Sequence, residues 1–253
     1  MELQGKVAVV TGGGGAGTGR AISELLAREG ASIVVADLDD HGSRETVRLI
    51  EEGGDRAARV RTDVTEDADL EAMISFAVET FGGLDVLVNN AGGTPEPHFP
   101  DAPLEHWRKT LALNLTGPMT AVQHALAPMR RRGGGAIVNV SSVAGVGYQP
   151  HDSPEYAAAK AGLIRLSAVL APLAHRWNIR VNCVIPHWIR TPEVLEEIEA
   201  LPPEERAKVP DLTPPQEIAD AVLTLVRDDS LAGRVMICWC GEPRRLIPND
   251  RRE

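Results

Sequence analysis

The chain is poor in cysteine. Cys183, Cys238 and Cys240 are the only three in 253 residues. An odd number without zinc-ligand spacing excludes a disulfide framework and a structural zinc site, so no metal is expected and a reducing, cytoplasmic compartment fits best. On a strand, the Cys238-x-Cys240 spacing puts both thiols on one face, where they read as buried thiols. Basic charge is also in short supply. Twenty-six Lys and Arg against 36 Asp and Glu leave a formal net charge of −10, which disfavours a broad surface for nucleic acid or anionic membrane. No apolar run approaches the roughly 20 residues of a membrane helix. The opening MELQGKVAVV shows no charged region followed by a long apolar stretch, as a signal peptide would. Internal repeats and low-complexity linkers are missing too.

What is present is alternation. Short β-branched runs occur at 6–11 (KVAVVT), 32–37 (SIVVAD), 58–63 (ARVRTD), 85–90 (DVLVNN), 136–141 (AIVNVS), 180–185 (RVNCVI) and 234–239 (RVMICW). Stretches of helical period lie between them, at 18–29, 66–81, 104–131, 154–177 and 214–227. Strand–helix–strand spacing of this kind implies βαβ units and a parallel sheet covered on both faces. The expected fold is α/β, a single doubly wound Rossmann-type domain over 1–253 with a seven-stranded parallel sheet. Ligands then sit outside the carboxyl ends of the strands, where the winding reverses.

Directly after the first run comes TGGGGAGTGRA, residues 11–21, with six glycines between Thr11 and Gly19. Each glycine costs about 0.5–1 kcal/mol relative to alanine in regular structure. A tight turn from strand to helix gives that cost a return: backbone can approach a pyrophosphate, which the N–H groups of the helix N-terminus then hold. The second run ends at Asp37, followed by Leu38 and Asp39 with no arginine. A carboxylate there accepts hydrogen bonds from an adenosine ribose and repels a 2′-phosphate, which favours NAD over NADP. Without the glycines, Asp37 would read as a helix cap.

In SPEYAAAKAGL (153–163), Tyr156 and Lys160 are four apart and share one helix face. A phenol titrates near ~10. A neighbouring ammonium stabilises the phenolate, as a tyrosine acid/base requires. The strand IVNVSSVAG (137–145) ends in Ser141 and Ser142 at the same sheet edge. One serine can hydrogen-bond a substrate oxygen, while the other caps the strand.

Taken in order, TGGGGAGTGRA, ADLD, Asp63-Val64, NNAG (89–92), LNLTG (113–117), VNVSSVAG, YAAAK and IRVNCVIP (179–186) resemble the short-chain dehydrogenase/reductase family over nearly the whole chain. The resemblance implies a nicotinamide cofactor and a Ser–Tyr–Lys site. On it, Tyr156 is the acid/base, Lys160 lowers its pKa and holds the nicotinamide ribose, Ser142 orients substrate, and Asn114 supports a water relay to Lys160. Gly12, Gly14, Gly15, Gly17, Thr18 and Gly19 form the dinucleotide turn, with Asp37 and Leu38 at the ribose. Asp63 and Val64 meet the adenine. Asn90, Ala91 and Gly92 lie along the cofactor, and Pro186, Ile189 and Thr191 reach its carboxamide end. The implied activity is hydride transfer between NAD(H) and a secondary alcohol or ketone. The rivals are a 3-oxoacyl-thioester reductase using NADPH and a non-catalytic dinucleotide sensor or scaffold.

The chain departs from the family pattern in several places. The glycine turn is one residue longer, with Ala16 where a glycine often falls, and the extra residue is expected to bulge the loop. The loop from Ser142 to Tyr156 is also one residue longer and carries His151 and Asp152. His187 replaces the usual glycine after Pro186 and either points away or enters the substrate pocket. Trp239 stands near the place of a usual aspartate in an Asp-Gly-Gly ending. Residues 192–215, acidic and proline-punctuated, match the family's substrate lid within a region of about 187–215. Specificity belongs to loops 93–103, 143–155 and 187–215. In the first of these, His98 and Phe99 favour a neutral, partly apolar small-molecule substrate. MRRRGGG (129–135) ends a helix, its cations complementing the dipole. Helices 104–131 and 154–177 are the family's usual contact surfaces, implying a homotetramer or homodimer.

Overall fold

The computed structural model describes residues 1–148 and 150–248. Gln149, within the expected specificity loop 143–155, and the last five residues of the C-terminal stretch lie outside the described residues. Seven parallel strands match the seven apolar runs: β1 (Val7–Thr11), β2 (Ser32–Asp37), β3 (Ala57–Arg61), β4 (Val86–Asn89), β5 (Gly135–Val140), β6 (Ile179–Pro186) and β7 (Val235–Cys238). Their spatial order is β3-β2-β1-β4-β5-β6-β7, so the winding reverses between β1 and β4. An eighth strand, β8 (Arg245–Leu246), adds antiparallel to β7 with Met236 opposite Leu246. Two residues are too few to show alternation, so β8 leaves no signal in the sequence. Cys240 falls beyond the end of β7 in a turn and is half-buried, so the two thiols do not share one strand face as expected.

The strands are apolar throughout because both faces are covered. Along β1, Ala8 and Val10 enter one core with Ile22, Leu25 and Leu26 of α1 (Thr18–Arg28) and Ile218, Val222 and Leu225 of α10 (Pro215–Arg227). Val7 and Val9 enter the opposite core with Leu70, Met73 and Ile74 of α3 (Asp67–Phe81) and Ala121, Val122 and Met129 of α5 (Gly117–Arg131). Helix starts and stops follow local chemistry. Asp39 caps α2 (Asp40–Glu52) by accepting from the His41 N–H, and α3 ends at Gly82 in the left-handed conformation. The expected helix 154–177 is two, α6 (Pro154–Val169) and α7 (Pro172–Trp177), because Pro172 has no N–H to continue the ladder. The expected helix 104–131 is continuous but irregular: α4 (Leu104–Leu111) passes through a π turn at Ala112–Thr116 into α5.

Two buried charges fix the opposite end of the sheet. Asp85, 1% exposed, accepts from the Val7 N–H (3.0 Å) and pairs with Lys6 (3.3 Å) and Arg132 (3.0 Å). Arg180 donates to the Leu225, Val226 and Asp228 carbonyl oxygens, closing the C-terminus of α10. No helix among the described residues is long and apolar enough to cross a membrane.

Candidate active site

β1, β2, β4, β5 and β6 all deliver their carboxyl ends to one edge of the sheet, and the glycine turn lies there. Gly12 has a φ of +65°, and a side chain on it would come within 2.9 Å of the Ala91 Cα. A Cβ on Gly19 would collide with the Gly12 carbonyl oxygen. Thr11 organises the junction: its Oγ1 accepts from the Asn90 N–H (3.0 Å) and Ala91 N–H (3.1 Å). Asn90 returns its side-chain amide to the Thr11 and Gly12 carbonyl oxygens. The Asn90 side chain therefore braces the turn. Gly17 precedes α1 without a side-chain cap, leaving the first N–H groups of α1 facing the cradle, as a pyrophosphate site requires.

The lengthened turn is anchored on α2 through Gly13 and Gly14, while Gly15 and Ala16 are exposed. Gly14 packs on α2, where a Cβ on Gly42 would collide with the Gly14 carbonyl oxygen. Thr46 Oγ1 donates to the Gly13 carbonyl (2.9 Å), and Arg20 donates to the Gly14 carbonyl (3.0 Å) and to Thr46 Oγ1 (3.0 Å). The Gly14 N–H reaches Asp37 Oδ2 at 2.8 Å, while Asp37 Oδ1 accepts from the Asp39 N–H at 2.9 Å. Each carboxylate oxygen keeps a lone pair for another donor. Leu38 is 51% exposed beside it; Gly15 has open space around it. The chain thus fits a dinucleotide: a cradle that side chains would fill, free helix N–H groups, and a fixed carboxylate. Asp63 caps its own turn, accepting from the Thr65 N–H and hydroxyl, and the Thr65 hydroxyl above all holds its carboxyl below the ordinary range. Val64 is nearly buried next to it.

Tyr156 and Lys160 stand one turn apart on α6, with the ammonium 5.5 Å from the phenol ring centroid. Lys160 is 3% exposed and donates to the Val140 carbonyl (3.1 Å). Burial pulls it down from 10.5 to about 8. Burial also pushes the Tyr156 phenol above its ordinary value, with a hydrogen bond to Ser142 opposing. The expected lowering by the ammonium is not the dominant effect here, because both groups are desolvated and Nζ is turned toward the Val140 carbonyl. Ser141 Oγ donates to the Lys160 carbonyl (2.9 Å), holding α6 to β5, while Ser142 Oγ accepts from the Ala144 N–H (3.2 Å), capping the turn after β5, beside the phenol.

Asn114 is fully buried in the π turn, and its amide links that turn to the backbone that follows β4. Its Oδ1 accepts from the Gly93 N–H (3.1 Å) and its Nδ2 donates to the Gly93 (2.9 Å) and Thr110 (3.0 Å) carbonyls. A Cβ on Gly92 would lie 2.7 Å from Asn114 Oδ1 and 3.0 Å from Lys160 Nζ, which places these three together. On the far side, Thr191 Oγ1 caps α8 (Pro192–Ala200) at 3.4 Å, and its Cγ2 would stand 3.0 Å from a Cβ on Gly17. Pro186 ends β6, buried. Ile189 pairs with Thr213, with Arg190 N–H to Thr213 O at 2.9 Å and Thr213 N–H to Trp188 O at 2.7 Å. These bonds pinch the segment 190–212, which carries α8 and α9 (Pro203–Arg206), at its base. His187 lies edge-on to Trp239, ring centroids 5.6 Å apart, and burial lowers its pKa.

Sequence reasoning passed over Thr11, Arg20, Gly42, Thr46, Asn139 and Ser167. The last two continue a buried chain from Asn89: Asn89 Nδ2 donates to Asn139 Oδ1 (2.8 Å), and Asn139 Nδ2 to Ser167 Oγ (2.9 Å), tying β4, β5 and α6 together. A polar residue inside an otherwise apolar strand, as in IVNV, was the available signal.

Residues 6–202 match the family model of the short chain dehydrogenases. A cis-4-hydroxycyclohexanecarboxylate dehydrogenase from Sinomonas cyclohexanicum is 39% identical over 88% of this chain and 90% of its own length. A cyclohexanol dehydrogenase from Acinetobacter sp. strain SE19 is 35% identical, covering 90% of each chain. Among solved structures, a short-chain type dehydrogenase/reductase from Mycobacterium ulcerans superposes with a TM-score of 0.86 at 25% identity, over 95% of this chain and 90% of that one. The chain belongs to the short-chain dehydrogenase/reductase family, enzymes that act on CH–OH groups with a nicotinamide cofactor.

Proposed function

We propose that the protein is an NAD-dependent dehydrogenase of secondary cyclic alcohols, interconverting them with their ketones. One observation carries this reading: Tyr156 and Lys160 share a turn of α6, with Ser142 beside the phenol, at the sheet edge that holds the glycine cradle. NAD is favoured because Asp37 is fixed by the Gly14 and Asp39 N–H groups where a 2′-phosphate would meet its charge. Gly12, Gly14, Gly15, Gly17, Thr18 and Gly19 would hold the pyrophosphate, Leu38 would flank the ribose, and Asp63 and Val64 would receive the adenine. Asn90, Ala91, Gly92, Pro186, Ile189 and Thr191 would line the path to the nicotinamide. Bound nicotinamide supplies the hydride acceptor.

The chain's own residues do the rest. Tyr156 takes the proton from the substrate hydroxyl, or gives one to the ketone, at its phenol oxygen. Ser142 donates to the substrate oxygen as charge develops on it. Lys160, still a cation at neutral pH with a value of about 8, stabilises the phenolate. The Asn114 amide is occupied by Gly93 and Thr110, so it fixes the Gly92–Gly93 backbone beside Lys160, and a water relay would pass alongside it. Segment 190–212, pinched at Ile189–Thr213, serves as the substrate cover. Exposed Leu104, Met119 and Val169 on the 104–131 and 154–169 helices suit burial against further copies in a homotetramer. The similarity to dehydrogenases named for cyclohexanol and a hydroxycyclohexanecarboxylate supports a saturated ring as substrate.

The test is nicotinamide reduction with cyclohexanol and cis-4-hydroxycyclohexanecarboxylate, using NAD and NADP in parallel. Turnover with NAD is expected, and Tyr156→Phe should lower it by about 10²–10⁴-fold with NAD affinity kept. Retained turnover in that variant, or no NAD binding by the native protein, overturns the proposal.

A further inference from the structure

Outside the phenol–ammonium pair, a charged cluster ties two loops together, and the proposed chemistry does not use it. Phe99 donates its N–H to the Asp152 carbonyl (2.9 Å), joining loop 93–103 to the segment entering α6. His98 stands over that joint. Its Nε2 is 3.1 Å from the Thr94 carbonyl, and its Nδ1 is 3.4 Å from both Glu96 Oε1 and Asp152 Oδ2. A carbonyl only accepts, so Nε2 carries a proton. A bare Nδ1 lone pair would then face two carboxylates at once, so the contacts are those of the doubly protonated ring. The Thr94 carbonyl first, then Asp152, Glu96 and Glu155, hold His98 above its ordinary value.

His151 meets the other oxygen of the same carboxylate, with Nδ1 3.2 Å from Asp152 Oδ1. The Ser153 N–H points at that same Nδ1 from 3.0 Å. The Ser153 N–H makes this Nδ1 an acceptor, so His151 flanks Asp152 without donating to it. The ring itself lies 5.6 Å from that of Tyr156, with planes 31° apart. Behind them Glu155 is 2% exposed; its Oε1 accepts from Ser153 Oγ (2.8 Å) and its Oε2 has no partner among the described residues.

We propose that Asp152, paired with His98 and flanked by His151, is a positioning residue that clasps loop 93–103 to the start of α6 and so fixes the substrate-side wall beside Tyr156. The groups facing the clasp are Glu96 from the first loop, and His151, Asp152, Glu155 and Tyr156 from the second segment. The sign follows from His98. Its proton stabilises the clasp fully below the ordinary histidine value of about 6.5, and that contribution is lost as pH rises through the raised value in the folded protein.

The clasp's effect on substrate rests on the dehydrogenase reading; its existence does not. Proton NMR of the histidine rings in the full-length protein should show one histidine titrating above about 6.5, absent in His98→Gln and shifted down in Asp152→Asn. A His98 that titrates at or below the ordinary value, or is unmoved in Asp152→Asn, overturns the proposal. With cyclohexanol, both variants should raise KM about two- to fivefold, the scale of one or two part-exposed ion pairs. Their kcat and NAD dissociation constant should be unchanged, and Asp152→Glu should recover KM. Wild-type KM should climb with pH through the His98 value, a step missing from His98→Gln. A fall in kcat at constant KM counts against positioning. If no alcohol is turned over, the proposed function fails, and the titration alone still decides the clasp.

Discussion

Lys160 is needed by the proposed chemistry and disfavoured by the fold, and replacing it separates the two. A lowering from 10.5 to about 8 by burial corresponds to about 3 kcal/mol against the charged form at neutral pH. Lys160→Met removes that charge and fills similar volume with an unbranched apolar chain. It also loses the hydrogen bond to the Val140 carbonyl, worth about 1 kcal/mol. The net expectation is a gain of about 2 kcal/mol, or about 4–8 °C in Tm for a chain of this size, together with loss of turnover. The pH dependence identifies the cause. The folded-state value lies below the unfolded one, so between about 8 and 10.5 the unfolded chain binds more protons, and wild-type stability gains from this group as pH rises through that window. The advantage of Lys160→Met should therefore shrink from pH 7 toward pH 10 when Tm is followed by calorimetry. A variant less stable than wild type at pH 7, or a difference that ignores pH, would refute the reasoning.

Two further outcomes are expected. Asp85→Ala leaves Lys6 and Arg132 without their shared buried carboxylate and the Val7 N–H without an acceptor. It should lower urea-unfolding stability by about 3 kcal/mol, and a loss below about 0.5 kcal/mol, the scale of an ordinary surface change, would remove Asp85 from the list of anchors. His187→Gly removes the imidazole packed on Trp239 and should shift preference among cyclic alcohols more than NAD affinity; equal effects on every alcohol tested would count against it.

The strands were legible because parallel strands covered on both faces are written as β-branched runs, and VAVVT and SIVVAD show it at once. The Tyr156–Lys160 spacing was equally plain, since helical period alone sets it. What sequence could not deliver was burial: the sign of the Tyr156 shift depends on desolvation by neighbours distant in the chain. The path of the lengthened glycine turn was hidden for a similar reason. Its length is visible, but its course is set by Gly42 and Thr46 on α2, whose packing no local pattern announces. The π turn at Ala112–Thr116 went unread as well, because no glycine or proline lies within it to mark a wider turn.

That wider turn puts the two halves of the long helix out of phase. Every residue after Thr116 is rotated by about 100° from where an uninterrupted α-helix would set it, and it is from this rotated position that Ala121, Val122, Ala125 and Met129 meet the sheet. Deleting one residue to restore a regular coil would swing that stripe toward water or, if the stripe held, turn Asn114 away from Gly93. Core and catalytic edge are thereby bound to the same insertion, and neither can shed it alone.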